Sequence, residues 1–309
     1  MNLKTRSLIA GLLFALPLTL HAGGKSPAKG GQSIPPGKSV VYKHSGGQPR
    51  EMEIYFPPGH DPAKSRVPGV ILFHGGGWTS GSLGAFRKDC HYLASRGLVA
   101  ATANYRMLTK AERAKLPMGE SHKSPCVTDA KSAIRWFKQH AAELGVDPAR
   151  IITGGGSAGG HISVLATLNP GLNDPADPKD IDTSVVAYLL FNPAFAAGDS
   201  KYPEIDALKF LKPDMAPAIA MYGTKDPWLK RAQPVFEKLD RLGNTTTELW
   251  HAEGQSHAFF NNEPWKTATL IAADRFLVRQ GLLNGEPTLT PPANGAKLFP
   301  TPDRPAGGN

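Results

Sequence analysis

The chain has 309 residues, 40% of them apolar, a length and composition that suit one large α/β domain with a sizeable core. Lys and Arg outnumber Asp and Glu by 35 to 26, for a formal net charge of +9. These charges are scattered with no dense basic block, which argues for an ordinary solvated surface and against a nucleic-acid partner.

Residues 1–22 read as a signal peptide. Lys4 and Arg6 precede an apolar run from Leu8 to Leu20, and the small residue Ala22 follows. The run is short for a bilayer span and Pro17 interrupts it. This pattern predicts a secreted or periplasmic protein, and loss of Lys4 and Arg6 would lower the net charge to +7. No later segment reads as transmembrane. Residues 23–38, rich in Gly, Pro, Lys and Ser, read as a flexible leader.

The domain is expected over residues 39–282. Two early strands, near 39–43 and 51–56, pair as an edge hairpin. Val67–His74 is an apolar strand ending at glycines. Gly84–Arg96 is a helix with Phe86, Cys90, Leu93 and Ala94 on one face, stopped by Gly97. Leu98–Asn104 is a strand. Ser124-Pro125 reads as an N-cap and first-turn proline for a helix carrying Val127, Ala130, Ile134 and Phe137. Ile151–Thr153 is a strand and Ala158–Leu168 a helix. Strands follow at 185–191, 218–222 and 246–250, with helices at 229–242 and 265–278. Residues 283–309, with many Pro and Gly and little apolar periodicity, read as a flexible tail. Alternating strands and helices predict a mostly parallel sheet with helices on both faces. Ligands of such sheets bind at the carboxyl ends of the strands, so chemistry is sought there.

After the strand at 151–153 comes Gly154-Gly155-Gly156-Ser157-Ala158-Gly159-Gly160, and then a helix. A nucleophile on a strand-to-helix turn needs strained backbone and small neighbours, which the pattern Gly155, Ser157, Gly159 supplies. After the strand ending at Phe73 comes His74-Gly75-Gly76-Gly77-Trp78. Its glycines let main-chain N–H groups point into a cavity. Gly76, Gly77 and Ala158 are therefore assigned as oxyanion-hole donors, and His74, Gly75 and Trp78 as candidate substrate contacts.

A nucleophilic serine requires a general base and an orienting acid. Asp226 follows the strand ending at Tyr222, and His257 lies between the last strand and the last helix. Alone, Asp226 reads as a turn residue and His257 as a loop histidine. Together with Ser157, in the chain order Ser, Asp, His and at strand ends, they read as a catalytic triad. Asp199 stands too far past its strand to be preferred as the acid, and Glu253 need not face His257. His161 is expected to pack beside the turn, and His251 to be structural. There is no metal-ligand spacing, no dinucleotide fingerprint and no P-loop, so no cofactor is expected.

Residues 74–78, 155–161, Asp226, and the loop Gly254–Asn261 around His257 resemble α/β-hydrolase esterases of the hormone-sensitive-lipase-like and bacterial feruloyl or acetylxylan esterase-like groups. The resemblance covers residues 39–282. It implies an α/β-hydrolase fold with an eight-stranded sheet whose second strand is antiparallel. In that sheet Cys90 and Cys126 fall on opposite faces, which implies two free thiols. It also implies a serine esterase acting on a small-molecule or polysaccharide-linked ester of short-chain, acetyl or feruloyl type. Kynurenine formamidases share the His-Gly-Gly-x-Trp element, so an arylformamidase is the alternative. A serine peptidase or an inactive binding fold fits less well. The only cap candidates, 106–123 and 196–216, are short, which implies an open cleft.

Overall fold

The computed structural model describes residues 34–195 and 201–301. The predicted signal peptide, residues 23–33 of the leader and Asp199 lie outside the described residues.

Among the described residues nine strands, one more than the eight expected, form one sheet: β1 (Lys38–Ser45), β2 (Gln48–Tyr55), β3 (Val67–Phe73), β4 (Val99–Ala103), β5 (Val146–Gly156), β6 (Ala187–Phe191), β7 (Ala218–Gly223), β8 (Thr247–Ala252) and β9 (Phe299–Pro300). Their order is β1-β2-β4-β3-β5-β6-β7-β8-β9. β2 is antiparallel to both neighbours, β3 through β8 are parallel, and β9 returns antiparallel on β8. The helices are α1 (Arg87–Ser95), α2 (Lys110–Ala114), α3 (Ser124–Gln139), α4 (Ala141–Leu144), α5 (Ala158–Leu168), α6 (Ala207–Phe210), α7 (Pro227–Arg241) and α8 (Trp265–Arg279).

The two-residue period of a strand sends alternate side chains to opposite faces. Val70 and Leu72 of β3 join a core with Cys90 and Leu93 of α1 and Leu270 and Phe276 of α8. Ile71 and Phe73 join the opposite core with Cys126, Val127 and Ile134 of α3 and Ile162 of α5. Farther along that face, α7 packs Val235 and Phe236 against Tyr188, Leu190 and Tyr222. The chain crosses from β3 outward to β4, then back past β3 to β5. Right-handed crossovers in opposite directions therefore place α1 and α3 on opposite faces.

Three expectations are corrected. β5 runs from Val146, well before Ile151, and continues through the glycines, where its pairing with β6 is so close that a Cβ at Gly154 would lie 2.0 Å from the Leu189 carbonyl oxygen. Ser124 is not the N-cap of α3. Lys123 holds that position without a side-chain cap, and the Ser124 hydroxyl donates to Glu204 at 3.2 Å. The segment after 282 is anchored as far as Thr301. Leu283 and Leu298 are buried, Arg96 donates to the carbonyls of Asn284 and Gly285, and Phe299–Pro300 supplies the ninth strand. A few leucines spaced by Pro and Gly have no helical or strand period, so this anchoring leaves no pattern in the sequence.

Both cysteines are free and buried, and burial raises both thiol pKa values, that of Cys126 to about 12. Native protein should therefore leave both unreacted with a thiol reagent such as DTNB, and protein unfolded without reductant should titrate two thiols per chain. Rapid labelling of native protein, or fewer than two thiols after unfolding, would contradict this arrangement.

Candidate active site

At the carboxyl end of β5 the chain turns sharply into α5, and Ser157 occupies the apex with φ 51° and ψ −117°. A non-glycine residue at positive φ is strained and persists only where its surroundings hold it. Here the Ser157 N–H donates to the Phe191 carbonyl at 2.9 Å, and its carbonyl accepts from Ala194 at 2.9 Å. The flanking glycines are required by contact. A Cβ at Gly155 would lie 2.1 Å from the Phe73 carbonyl oxygen, and one at Gly159 would lie 1.9 Å from it.

Asp226 and His257 arrive at the same end of the sheet. Asp226 is the N-cap of α7, followed by Pro227. Its Oδ1 accepts the Trp228 N–H at 2.9 Å, and its Oδ2 stands 2.8 Å from His257 Nδ1. His257 Nε2 is 2.8 Å from Ser157 Oγ. An ionised carboxylate only accepts, so the proton lies on Nδ1, and Nε2 presents its lone pair to the serine hydroxyl. The three side chains form one hydrogen-bonded series ending at the pocket.

Asn192 belongs to this series and was missed by reading the sequence. It follows β6 directly, is fully buried, and has φ 39°. Its Oδ1 accepts the Ala258 N–H at 3.1 Å, and its Nδ2 packs 3.3 Å from His257 Nδ1. Because that nitrogen's proton belongs to Asp226, Asn192 acts by fixing the loop that carries the imidazole. Its position at a strand end was the available signal.

Ser157, His257, Gly75, Gly76, Gly77 and Trp78 line a pocket of about 500 Å3, together with Gly81, Ala85, Phe86, Trp228, Ala258, Phe260 and Asn261. None of these side chains is an Asp, Glu, Lys or Arg. Neither expected cap segment contributes a described residue to it. Ala158 is the first residue of α5, so its N–H has no intrahelical partner. Among the described residues, the N–H groups of Gly76 and Gly77 donate to no main-chain carbonyl. Gly76 has φ 115°, and a Cβ there would meet the Ser80 carbonyl at 2.1 Å, so the loop closes only on glycine.

His74 is corrected as a substrate contact. It is fully buried and does not line the pocket. Its Nδ1 donates to the Gly75 carbonyl at 2.8 Å, its ring stacks on Tyr105 at 4.4 Å, and Tyr105 OH donates to its carbonyl at 2.8 Å. It supports the glycine loop from beneath. Glu253 is exposed and accepts from Thr224. His251 stands 3.4 Å from the Thr301 hydroxyl, away from Ser157. His161 packs edge-on against Trp78 at 5.3 Å and donates through Nε2 to the Ile205 carbonyl at 2.9 Å. No group of His, Cys, Asp and Glu among the described residues could hold a metal.

The BD-FAE family matches residues 52–185. Esterase 2 of Thermogutta terrifontis, solved after phosphorylation by paraoxon, is 35% identical with a TM-score of 0.73, over 82% of this chain and 97% of that one. The same enzyme with propionate bound is 34% identical with a TM-score of 0.72, over 82% and 97%. The probable carboxylic ester hydrolase LipM of Mycobacterium tuberculosis is 33% identical over 184 residues, 54% of this chain and 40% of that protein. The carboxylesterase NlhH of the same organism is 34% identical over 127 residues, 40% of this chain and 35% of that protein. The matched stretches thus span less than half the length of these two curated relatives.

Burial, with the charge of Lys123, lowers the His161 pKa to about 3. In the unfolded chain it returns to the ordinary value of ~6.5, so only the unfolded state gains a proton between these limits. The stability linked to its neutral form is complete above ~6.5 and is lost as pH falls toward 3. His161→Gln should therefore lose stability less steeply between pH 6 and pH 4, by up to ~1.4 kcal/mol per pH unit in urea unfolding. Equal slopes in both proteins would refute this.

Proposed function

This chain belongs to the α/β-hydrolase esterases, and we propose that it is a secreted or periplasmic serine carboxylesterase with Ser157 as nucleophile. The observation that carries this reading is the placement of His257 between Ser157 Oγ and Asp226 Oδ2, 2.8 Å from each, at the wall of an uncharged pocket.

His257 Nε2 takes the hydroxyl proton as Ser157 Oγ attacks the ester carbonyl carbon. The oxyanion that forms is held by the N–H groups of Gly76, Gly77 and Ala158. Asp226 stabilises the imidazolium. Collapse of the tetrahedral intermediate expels the alcohol, which takes its proton from His257. Water, deprotonated by His257, then attacks the acyl-enzyme, and the acid leaves as the proton returns to Ser157.

The ester is short-chain, or carbohydrate-linked and of acetyl or feruloyl type. The propionate bound by the Thermogutta relative and its phosphorylation by paraoxon support a small acyl group and a nucleophilic esterase mechanism. The localisation rests on the charged, apolar and small-residue pattern of residues 1–22.

Ser157→Ala should lower kcat on p-nitrophenyl acetate by about 10^4-fold or more, with the thermal midpoint little changed. Undiminished turnover by the purified variant would refute the assignment. A panel of acetylated xylan, methyl ferulate, short-chain aryl esters and N-formylkynurenine separates the substrate classes. Faster turnover of N-formylkynurenine than of every ester would identify an arylformamidase instead.

A further inference from the structure

We propose that Trp228 is the specificity-determining wall for the leaving alcohol, and that this wall selects aromatic alcohols; the proposal rests on the esterase reading above. Trp228 follows Asp226 by two residues, and its main-chain N–H bonds the Asp226 carboxylate at 2.9 Å. The indole is thus registered to the acid that orients His257. Its ring centroid is 6.2 Å from the His257 ring at a 40° tilt, and 6.2 Å from the Trp78 ring at 68°. The Arg231 guanidinium packs over it at 4.9 Å and helps hold its orientation. Trp228 is half-buried and lines the pocket with Ser157 and His257.

The chemistry decides which half of the ester meets this ring. When the tetrahedral intermediate collapses, His257 delivers its proton to the leaving oxygen, so that oxygen must lie against the imidazole. The group bonded to it then extends along the side chains beside His257. Trp228 is the pocket-lining ring that packs against the imidazole. Trp78 is buried with Lys123 over its ring, so the half-buried Trp228 is the indole that offers a third ring a surface to stack on or meet edge-on, the arrangements aromatic pairs prefer. A saturated ring of the same size gains the buried area alone. The lining carries no charged side chain, which suits a neutral aromatic alcohol.

Benzyl acetate and cyclohexylmethyl acetate test this, because their primary alcohols match closely in size and leaving ability and only one is aromatic. Active enzyme is counted by fluorophosphonate labelling. Trp228→Ala, and Trp228→Leu as a bulkier aliphatic variant, should lower the benzyl-to-cyclohexylmethyl ratio of kcat/KM by about fivefold. Trp228→Phe should keep the ratio within about twofold of wild type. A ratio unchanged in whichever aliphatic variant folds overturns the proposal, even if both rates fall together. Wild-type protein that is folded but takes up no fluorophosphonate and cleaves neither ester overturns the esterase reading instead.

Discussion

The near-contact between the end of β3 and the turn carrying Ser157 governs the rest of the site. The Phe73 carbonyl oxygen lies where side chains at both Gly155 and Gly159 would have to be. Only a chain without side chains at these two positions lets β5 turn into α5 this close to β3. That closeness brings the glycine loop after β3 beside Ser157, with Gly75 packed against the turn. The donors for an oxyanion and the nucleophile are therefore set by one packing event between parallel neighbours, and helix α5 supplies a further N–H from its first residue.

The acid and the base reach the same place by a different route. Each follows a parallel strand, so each emerges at the carboxyl end of the sheet. What then fixes them is polar. Asp226 caps α7 and is tied to the Trp228 N–H, and the His257 loop is pinned by the Asn192 side chain to the end of β6. The imidazole is thus oriented by groups from β6 and β7 as well as by its own loop. Moving one of these strands by a residue would separate the ring from Ser157.

Much of this was legible in the sequence, for physical reasons. Apolar runs bounded by glycine mark buried parallel strands, and searching just beyond each strand led to Ser157, Asp226 and His257. The same rule pointed at Asn192, but a lone asparagine before a proline carries no catalytic signature. His74 was legible as a position and not as a direction. Whether it faces the pocket or the core depends on how the loop through Gly76 and Gly81 folds back, and a Cβ at Gly81 would lie 2.2 Å from the His74 ring. Trp228, just before the helix expected at 229–242, carried no signal in the sequence. Its contact with Trp78, 150 positions earlier, exists only once β3 and β7 share a sheet. The burial of Leu298 was hidden because a segment without regular structure has no period to read.

The two-residue β9 has a consequence for how the molecule behaves in company. An exposed parallel sheet invites its neighbours to extend it, since an edge strand offers unpaired N–H and C=O groups to any passing chain. Here one border closes with Phe299–Pro300, a ladder too short to template a partner and half made of a residue without an N–H. At the opposite border β1 is broken by an irregularity between Val41 and Lys43, and Lys43 turns inward to Asp129 and Asp174. Both margins are thus blunted against edge-to-edge growth, a safeguard against aggregation that the chemistry at the sheet's centre neither needs nor reveals.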